Sequence, residues 1–484
     1  LGARVLNITL TSRGDGVPLA GVPVKAAAEY LRQLVGSGYR VAICEQVEDP
    51  KLAKGIVRRE VVETVTPGAL LVDGWIPGGR NNWLVAVAPV DARLGLAAID
   101  LSTGEFLLET LEPAALPEAL ARLAPAELVV PADASDLATA DAAGGAAAAS
   151  AAIAHATSDG VLRTPRERWE FDAALAGEEL ARRFGLASLD GLGLELGDAP
   201  AVGAAGALLR YLADLQPSGL PHLARPTVRR TGQHLWLDDM TRRNLELVEP
   251  LRAGARNATL LETIDTTLTP MGSRLLRQWL LSPLRVPAAI ARRLDAVEVC
   301  VRDGRGRARL REALDGVRDL ERLAGRAAAG RATPRELGAL RDSFRRLPDV
   351  LEALASLAER ERSAALAEVE REFDLLGELS SELGAALEDR PPATLADGGV
   401  IRAGFDSELD ELRDLRDGGK QYIATLQQRE RDRTGIPSLK VGFNKVFGYY
   451  LEVTNSHAAR VPADYERRQT LANCERYVTP ELKT

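Results

Sequence analysis

Six residues in the last tenth of the chain have the side chains that hold a nucleic-acid backbone: Lys440, Asn444, Lys445, Arg467, Arg468 and Asn473. Lysine and arginine neutralise phosphate charge, and asparagine donates an amide hydrogen bond to a phosphate oxygen. Arg476, Tyr449 and Tyr450 are interleaved with them. Nothing in these types or spacings requires the reading of base edges, so the grip they imply is independent of sequence. The plainer alternative is a solvated polar ribbon whose cations pair with Glu452, Asp464, Glu466 and Glu475. A smaller set near the other end, Thr11, Ser12, Arg13 and Lys25, lies beside turn residues and has either role open to it: phosphate contact or plain surface charge.

Other chemistries find less support. The Gly-x-x-x-x-Gly-Lys-Ser/Thr pattern of a phosphate loop is absent. Gly418-Gly419-Lys420 is followed by Gln421, lies in a helical pattern and follows no strand. A metal-dependent nuclease needs a carboxylate on a central strand. Residues 83–90 contain none, and Asp91, Asp100 and Glu105 fall at turns. Cys44, Cys300 and Cys474 are an odd number without metal spacing, as in a reduced cytosolic protein. Cys44, at a strand end beside Glu45, reads as a packed core thiol. His155, His222, His234 and His457 form no cluster and read as solvated or locally bonded side chains.

The elements that must position the phosphate-type residues can be traced from the pattern. A charged helix runs into Gly435-Ile436-Pro437; the runs LKVGF and YYLEV then alternate as a β-ribbon, split by Asn444 and Gly448. Upstream, from about residue 238 to 434, nearly everything is helical. Thr333-Pro334-x-Glu336 starts one helix with an N-cap, a proline and an acid. Phe405, Leu409, Leu412 and Leu415 mark another, which Gly418-Gly419 is expected to interrupt before Tyr422 and Leu426 resume it. Residues 83–131 predict a three-strand meander, a helix over 113–123 and the strand ELVVP. Residues 138–156 are almost wholly Ala, Gly and Ser and predict a loop. Near the start, ARVLNITLT alternates as a strand, Val24–Val35 predicts a helix, Tyr39–Cys44 a buried strand and Val61–Val65 another; residues 69–82 read as a linker.

At 484 residues the chain has room for about three or four domains, and a hydrophobic content of 46% is ample for their cores. The net charge of −8 is unevenly spread. Residues 1–81 and 435–484 are each net +2, residues 82–208 are net −12, and residues 209–434 balance 37 basic with 37 acidic residues. A polyanion is repelled by the second segment and tolerated at the two ends. No run of about 18 apolar residues spans a membrane, and no signal peptide is visible. The chain does not start with Met, which suggests a fragment beginning inside a domain.

The stretch ERDRTGIPSLKVGFNKVFGYYLEVTNSHAARVPADYERRQTLANCERYVTPEL resembles the clamp of the MutS family of DNA mismatch-repair proteins. The resemblance is colinear along the chain: LAGVPVK, VAICEQVED and VVETVTPGAL, then 82–110, TRRNLEL, DTTLTPMGSRLLRQWLLSPL and DGGVIRAGFDSELDELRDL. It implies a multidomain, mainly α protein. Residues 1–68 would be a partial α/β mismatch-recognition domain and 69–81 a linker. An RNase H-like α/β connector would follow at 82–208, a long-helix lever core at 209–434 and a β-ribbon clamp at 435–484. It implies binding of mismatched double-stranded DNA by a cytoplasmic homodimer, with a MutL-type repair protein meeting the connector. A paralogue sliding on branched DNA, or a helical scaffold that binds only protein, are the rival readings. Two hallmarks are absent: the Phe-x-Glu wedge and the ATPase phosphate loop. ATP and Mg2+ are therefore expected in a domain outside this chain, and no cofactor or catalytic residue within it. Ala472 stands where the family usually has Lys, whereas Asn473 matches its LxNxERY pattern.

Overall fold

The computed structural model describes residues 1–12, 16–48, 57–72, 74–133, 151–153, 161–216, 219–230, 232–252, 258–444 and 448–479, with only the backbone of 25, 419 and 420. Most of the Ala-rich stretch expected as a loop, and His155, lie outside them. The chain divides into two compact units, Leu1–Val400 and Ile401–Thr484.

The first unit opens with a departure from the expected strand. Gly2–Val5 is a helical turn, closed by Asn7 at φ +51 with Ile8 N–H donating to the Ala3 carbonyl. Asparagine tolerates that left-handed conformation and ends a helix as glycine does, which outweighs a short alternation. Helix α1 (Ala27–Gly36) leads to β1 (Val41–Gln46), which pairs antiparallel with β2 (Arg59–Val65). The expected buried strand is instead mostly exposed, because this ribbon has two strands and no sheet beside it. Cys44, on β1, is exposed and so is not the core thiol its sequence context suggested.

The meander forms as its alternation requires. β3 (Trp83–Val90), β4 (Arg93–Asp100) and β5 (Glu105–Leu111) are antiparallel neighbours. Helix α2 (Leu116–Leu123) leads to β6 (Glu127–Pro131), parallel to β3; β7 (Leu162–Arg166) lies beside β6. Helices α3 (Ala173–Phe184) and α4 (Ala199–Leu215) follow, then β8 (Thr227–Arg229), which joins the sheet next to β5. The strand order is β8-β5-β4-β3-β6-β7.

Period two sends Leu84, Ala86 and Ala88 into a core with α3 and α4, and Trp83, Val85 and Val87 into a second core with α2. Each fully buried Leu or Val contributes roughly 1.5–3 kcal/mol. Helix α4 lies so close to β4 that a Cβ on Gly95 would come within 1.9 Å of the Pro200 carbonyl, so the position must be glycine. The expected domain limit at 208 falls inside α4, whose Leu209, Tyr211, Leu212 and Leu215 are buried in that same core.

Residues 69–81 are not a loose linker. Ala69, Leu70, Leu71 and Ile76 are buried. Arg322 donates to the carbonyls of Ile76 (3.1 Å), Pro77 (3.2 Å) and Arg80 (2.6 Å), and Arg274 to that of Gly78 (2.9 Å). Those arginines come from a set of short helices: α5 (Pro270–Leu281), α6 (Pro287–Arg302), α7 (Gly304–Leu314), α8 (Leu320–Ala328), α9 (Pro334–Phe344), α10 (Leu347–Ala355), α11 (Ala364–Glu372) and α12 (Gly377–Ala386). Helix α9 begins with a full capping box: Thr333 Oγ1 accepts from Glu336 N–H, and the Glu336 carboxylate accepts from Thr333 N–H. Leu323, Leu340, Phe344 and Leu347 join α8, α9 and α10 in one core.

The second unit contains the only described helix of lever-like length, α13 (Ser407–Thr434), at 28 residues. It runs unbroken through Gly418-Gly419, where an interruption was expected. Two glycines cost about 1 kcal/mol each in a helix interior, which a run of this length absorbs. Beyond it lies a four-stranded antiparallel sheet: β9 (Lys440–Asn444), β10 (Gly448–Thr454), β11 (Glu466–Thr470) and β12 (Cys474–Val478), in the order β9-β10-β12-β11.

Candidate nucleic-acid interface

The mounting of the sheet on α13 follows from the residues at the helix end. Gly435, at φ +63, closes the helix with its N–H on the Arg431 carbonyl, and the chain turns through Ile436-Pro437 into β9. Arg431 Nε donates to the Leu439 carbonyl (2.7 Å), Gln427 Oε1 accepts from Val441 N–H (3.0 Å), and Arg460 donates to the Gly435 carbonyl (2.9 Å). At the centre of the joint Glu430 is buried; its Oε2 accepts from the Tyr465 hydroxyl (2.8 Å) and from Arg433 Nε (2.9 Å). Arg433 also pairs with Asp464 at 3.0 Å and lies over the Tyr465 ring. Burial, and then the bond to Glu430, push the Tyr465 phenol above its ordinary value; the bond to Asp464 holds Arg433 more firmly protonated. Ile436, Leu439, Leu451, Val453, Tyr465 and Tyr477 form the apolar core beneath the sheet. The joint was not foreseen from the sequence, although the Glu430–Arg433 spacing of one helical turn is a visible signal.

Register decides which candidate residues meet. Lys440, Glu452, Arg476 and Gln469 lie opposite one another across all four strands, on the face away from the core. Arg476 donates to Glu452 (3.0 Å) and to Gln469 (3.0 Å), and its guanidinium stacks 4.4 Å from the Tyr450 ring centre. Lys440 is exposed and forms no ion pair with any described residue. Asn444, half-buried, ends β9 at the hairpin tip; Lys445 lies outside the described residues.

Arg467 and Arg468 occupy β11, the opposite edge strand, roughly 14 Å from β9. Arg467 lies opposite Tyr477, on the other face from Arg476, and Arg468 sits at a bulge. Asn473 is exposed in the β11–β12 turn, at the end of the sheet away from the Asn444 tip. The candidate residues therefore rim the sheet and do not share one face. At the other end of the chain, Arg13 lies outside the described residues, and Lys25 is in a one-turn 3-10 helix, Val24–Ala26.

The ion pairs of the plainer reading do form. Arg467 pairs with Glu475 (3.1 Å), Arg468 with Glu466 (3.1 Å), Arg476 with Glu452, and Asp464 with Arg433. The Arg467 and Arg468 side chains are 62% and 42% exposed, and pairs of that kind are worth about 0–1 kcal/mol. Each guanidinium is thus held loosely enough to exchange its carboxylate for a phosphate.

Elsewhere the chemistry is sparse. Among the described residues no group of three or more His, Cys, Asp or Glu is placed to hold a metal ion. Asp100 and Glu105 do converge: Asn81 Nδ2 donates to both, at 2.9 and 3.0 Å. Burial, and then the Asp100 charge, push the Glu105 carboxyl up to about 7. Gly418-Gly419-Lys420 does not fit a nucleotide phosphate. It sits in the interior of α13, where backbone N–H groups are committed to helical hydrogen bonds. No described helix is long and apolar enough to cross a membrane.

Comparison with known proteins supplies what the rim of the sheet leaves open. Four domain families match in order: MutS domain I over residues 1–74, MutS domain II over 82–224, MutS domain III over 240–432 and MutS family domain IV over 404–484. The chain belongs to the MutS family. It is 45% identical over 490 residues to the DNA mismatch repair protein MutS of Solibacter usitatus, covering 99% of this chain and 54% of that protein. Identities to the proteins of that name from Pelotomaculum thermopropionicum and Symbiobacterium thermophilum are 44% and 43%, covering all of this chain and 55% and 54% of theirs. The chain spans about half the length of these relatives. The match to MutS domain II takes in the whole of α4, as the shared core does. The matches to domains III and IV overlap along α13, the helix that carries the sheet.

Proposed function

We propose that this MutS-family chain grips duplex DNA by its phosphate backbone, as part of a mismatch-repair protein. The observation that carries the reading is the rim of exposed, exchangeable or unpaired cations on the β9–β12 sheet: Lys440, Arg467 and Arg468, with Asn444 and Asn473 at its two ends. Mounted on α13 through Glu430, Tyr465 and Arg433, the sheet acts as a clamp whose position follows its helix. Arg13 and Lys25, on a recognition domain in residues 1–74, add weaker phosphate contacts. The RNase H-like connector spans 82–224 and, being acidic, keeps DNA away from itself and offers a surface to a basic partner of the MutL type.

In this reading the working form is a cytoplasmic homodimer around mismatched double-stranded DNA. ATP and Mg2+ act at an ATPase domain outside residues 1–484, and the chain alone has no hydrolytic activity. It also lacks any Phe-x-Glu, so it binds matched and mismatched duplex nearly equally. Hydrogen exchange with and without a duplex tests the site: DNA should protect 440–444 and 466–476 and leave 287–386 unchanged. Protection confined to 287–386 would place the DNA elsewhere.

A further inference from the structure

Within the first unit, a cavity of about 550 Å³ opens where the β8 edge of the sheet and α2 meet α5 and α6. Seven guanidinium groups line it, from six separate segments: Arg80, Arg122 on α2, Arg229 on β8, Arg242 and Arg243 on the short helix Asp239–Asn244, Arg277 on α5 and Arg293 on α6. Three of them share two acids. Arg122 and Arg229 pair with Glu109, and Arg122 and Arg242 with Glu118. Arg243 pairs with Asp239 on its own helix, at 3.8 Å, and the remaining three have no such partner. Among the described residues Arg80 and Arg277 form no ion pair, and Arg293 rests only on the Trp279 ring, 3.8 Å away. Even with Glu105, Asp239 and Glu249 of the lining counted beside Glu109 and Glu118, the seven guanidiniums outnumber the five carboxylates by two.

Three further observations agree with this excess of positive charge. Arg242 is only 5% exposed, yet its Nε and Nη1 have no hydrogen-bond acceptor. A buried guanidinium with idle donors is costly unless an acceptor arrives. The imidazole of His234, also in the lining, is pushed down to about 4, by burial first and then by Arg229, Arg122 and Arg293. Arg277 is likewise pushed down to about 10, by burial and then by Arg80.

We propose that this cavity binds a compact, multiply charged phosphate anion of the pyrophosphate type, with Arg277, Arg80 and Arg293 as its principal donors. The planar guanidinium fork matches phosphate oxygens, and donors spread over several elements can surround a small polyanion. The volume is that of a small-ligand site, and such sites favour junctions between packed bodies. An anion there would tie α2 and β8 to α5 and α6.

The test uses the whole chain and inorganic pyrophosphate, with potassium chloride at matched ionic strength as the control. Tryptophan fluorescence and thermal unfolding are the readouts, since Trp75, Trp83 and Trp279 also line the cavity. Pyrophosphate should give a saturable fluorescence change and a rise in Tm that chloride does not reproduce. Arg277→Ala, which breaks no ion pair, should weaken binding about tenfold or more; Arg293→Ala provides a second variant. Loss of affinity in either one supports the site. A parent that shows no saturable response, or undiminished affinity in both variants, overturns it.

Discussion

Arginine does opposite work in the interior of the first unit and at the rim of the sheet in the second. In the first, Arg274 is nearly fully buried. It holds Asp319 by two bonds, of 2.6 and 2.8 Å, reaches Glu321, and caps the Gly78 carbonyl. Arg322 gathers three carbonyls of the 69–81 segment, and Arg341, 1% exposed, donates to the carbonyls of Leu387, Glu388 and Asp389. In the second, Arg467 and Arg468 stand in water with one carboxylate each. Residue type and formal charge are the same. Burial makes the first group structural, because its acceptors have no water to fall back on; exposure leaves the second group free to trade partners.

The comparison breaks most easily at Arg274. Replacing it with Ala leaves the Gly78 carbonyl without its donor and Asp319 with only its weaker contacts to Arg322 (3.3 and 3.9 Å), and the first unit should lose about 3–5 kcal/mol of stability, read as a shifted denaturation midpoint. A loss below about 1 kcal/mol would mean that the buried arginines are no more structural than those of the rim.

Glu105 sharpens it from the acid side. Its folded-state carboxyl sits at about 7, against an ordinary 4.5, chiefly through burial. The folded protein then binds the proton more tightly than the unfolded chain, so this group's contribution is fully present below about 4.5 and is lost as pH rises through 7. Glu105→Gln should remove that decline and gain about 1–3 kcal/mol over the parent at pH 8, relative to the difference at pH 4. Parallel stability curves for the two proteins across that window would refute the burial argument.

A smaller effect is expected at the joint of the second unit. Tyr465→Phe deletes a donor to buried Glu430 and should cost about 1–2 kcal/mol, read as faster amide exchange over 436–441. An unchanged exchange pattern would show that Arg433 alone secures Glu430. At the rim, Arg467→Ala with Arg468→Ala should change stability by no more than about 1 kcal/mol.

The same contrast explains what was legible in the sequence. Strands β3 to β5 were readable because local alternation and a two-sided core agree. Thr333 was readable because a capping box is contained within four residues. Residues 69–81 were misread because their order comes from Arg274 and Arg322, some two hundred residues away, and no local pattern announces that. The turn at Gly2–Val5 was missed because one asparagine in a left-handed conformation outweighed an alternating run. For the candidate site, the types Lys440, Arg467, Arg468 and Asn473 were visible. Their distribution over two edges of one sheet depends on strand order and on a bulge, which composition does not carry. The cavity arginines escaped notice altogether, since they come from six segments spread over more than two hundred residues.

The most direct measurement is a salt titration of duplex binding by the parent chain and by the Arg467→Ala, Arg468→Ala double variant. Each phosphate neutralised releases condensed counterion, so affinity should fall steeply with salt for the parent. The double variant should bind all sequences more weakly and show a slope flatter by about one to two units. An unchanged slope would mean that these arginines keep Glu475 and Glu466 in the presence of DNA, and would contradict the assignment of the sheet as the grip.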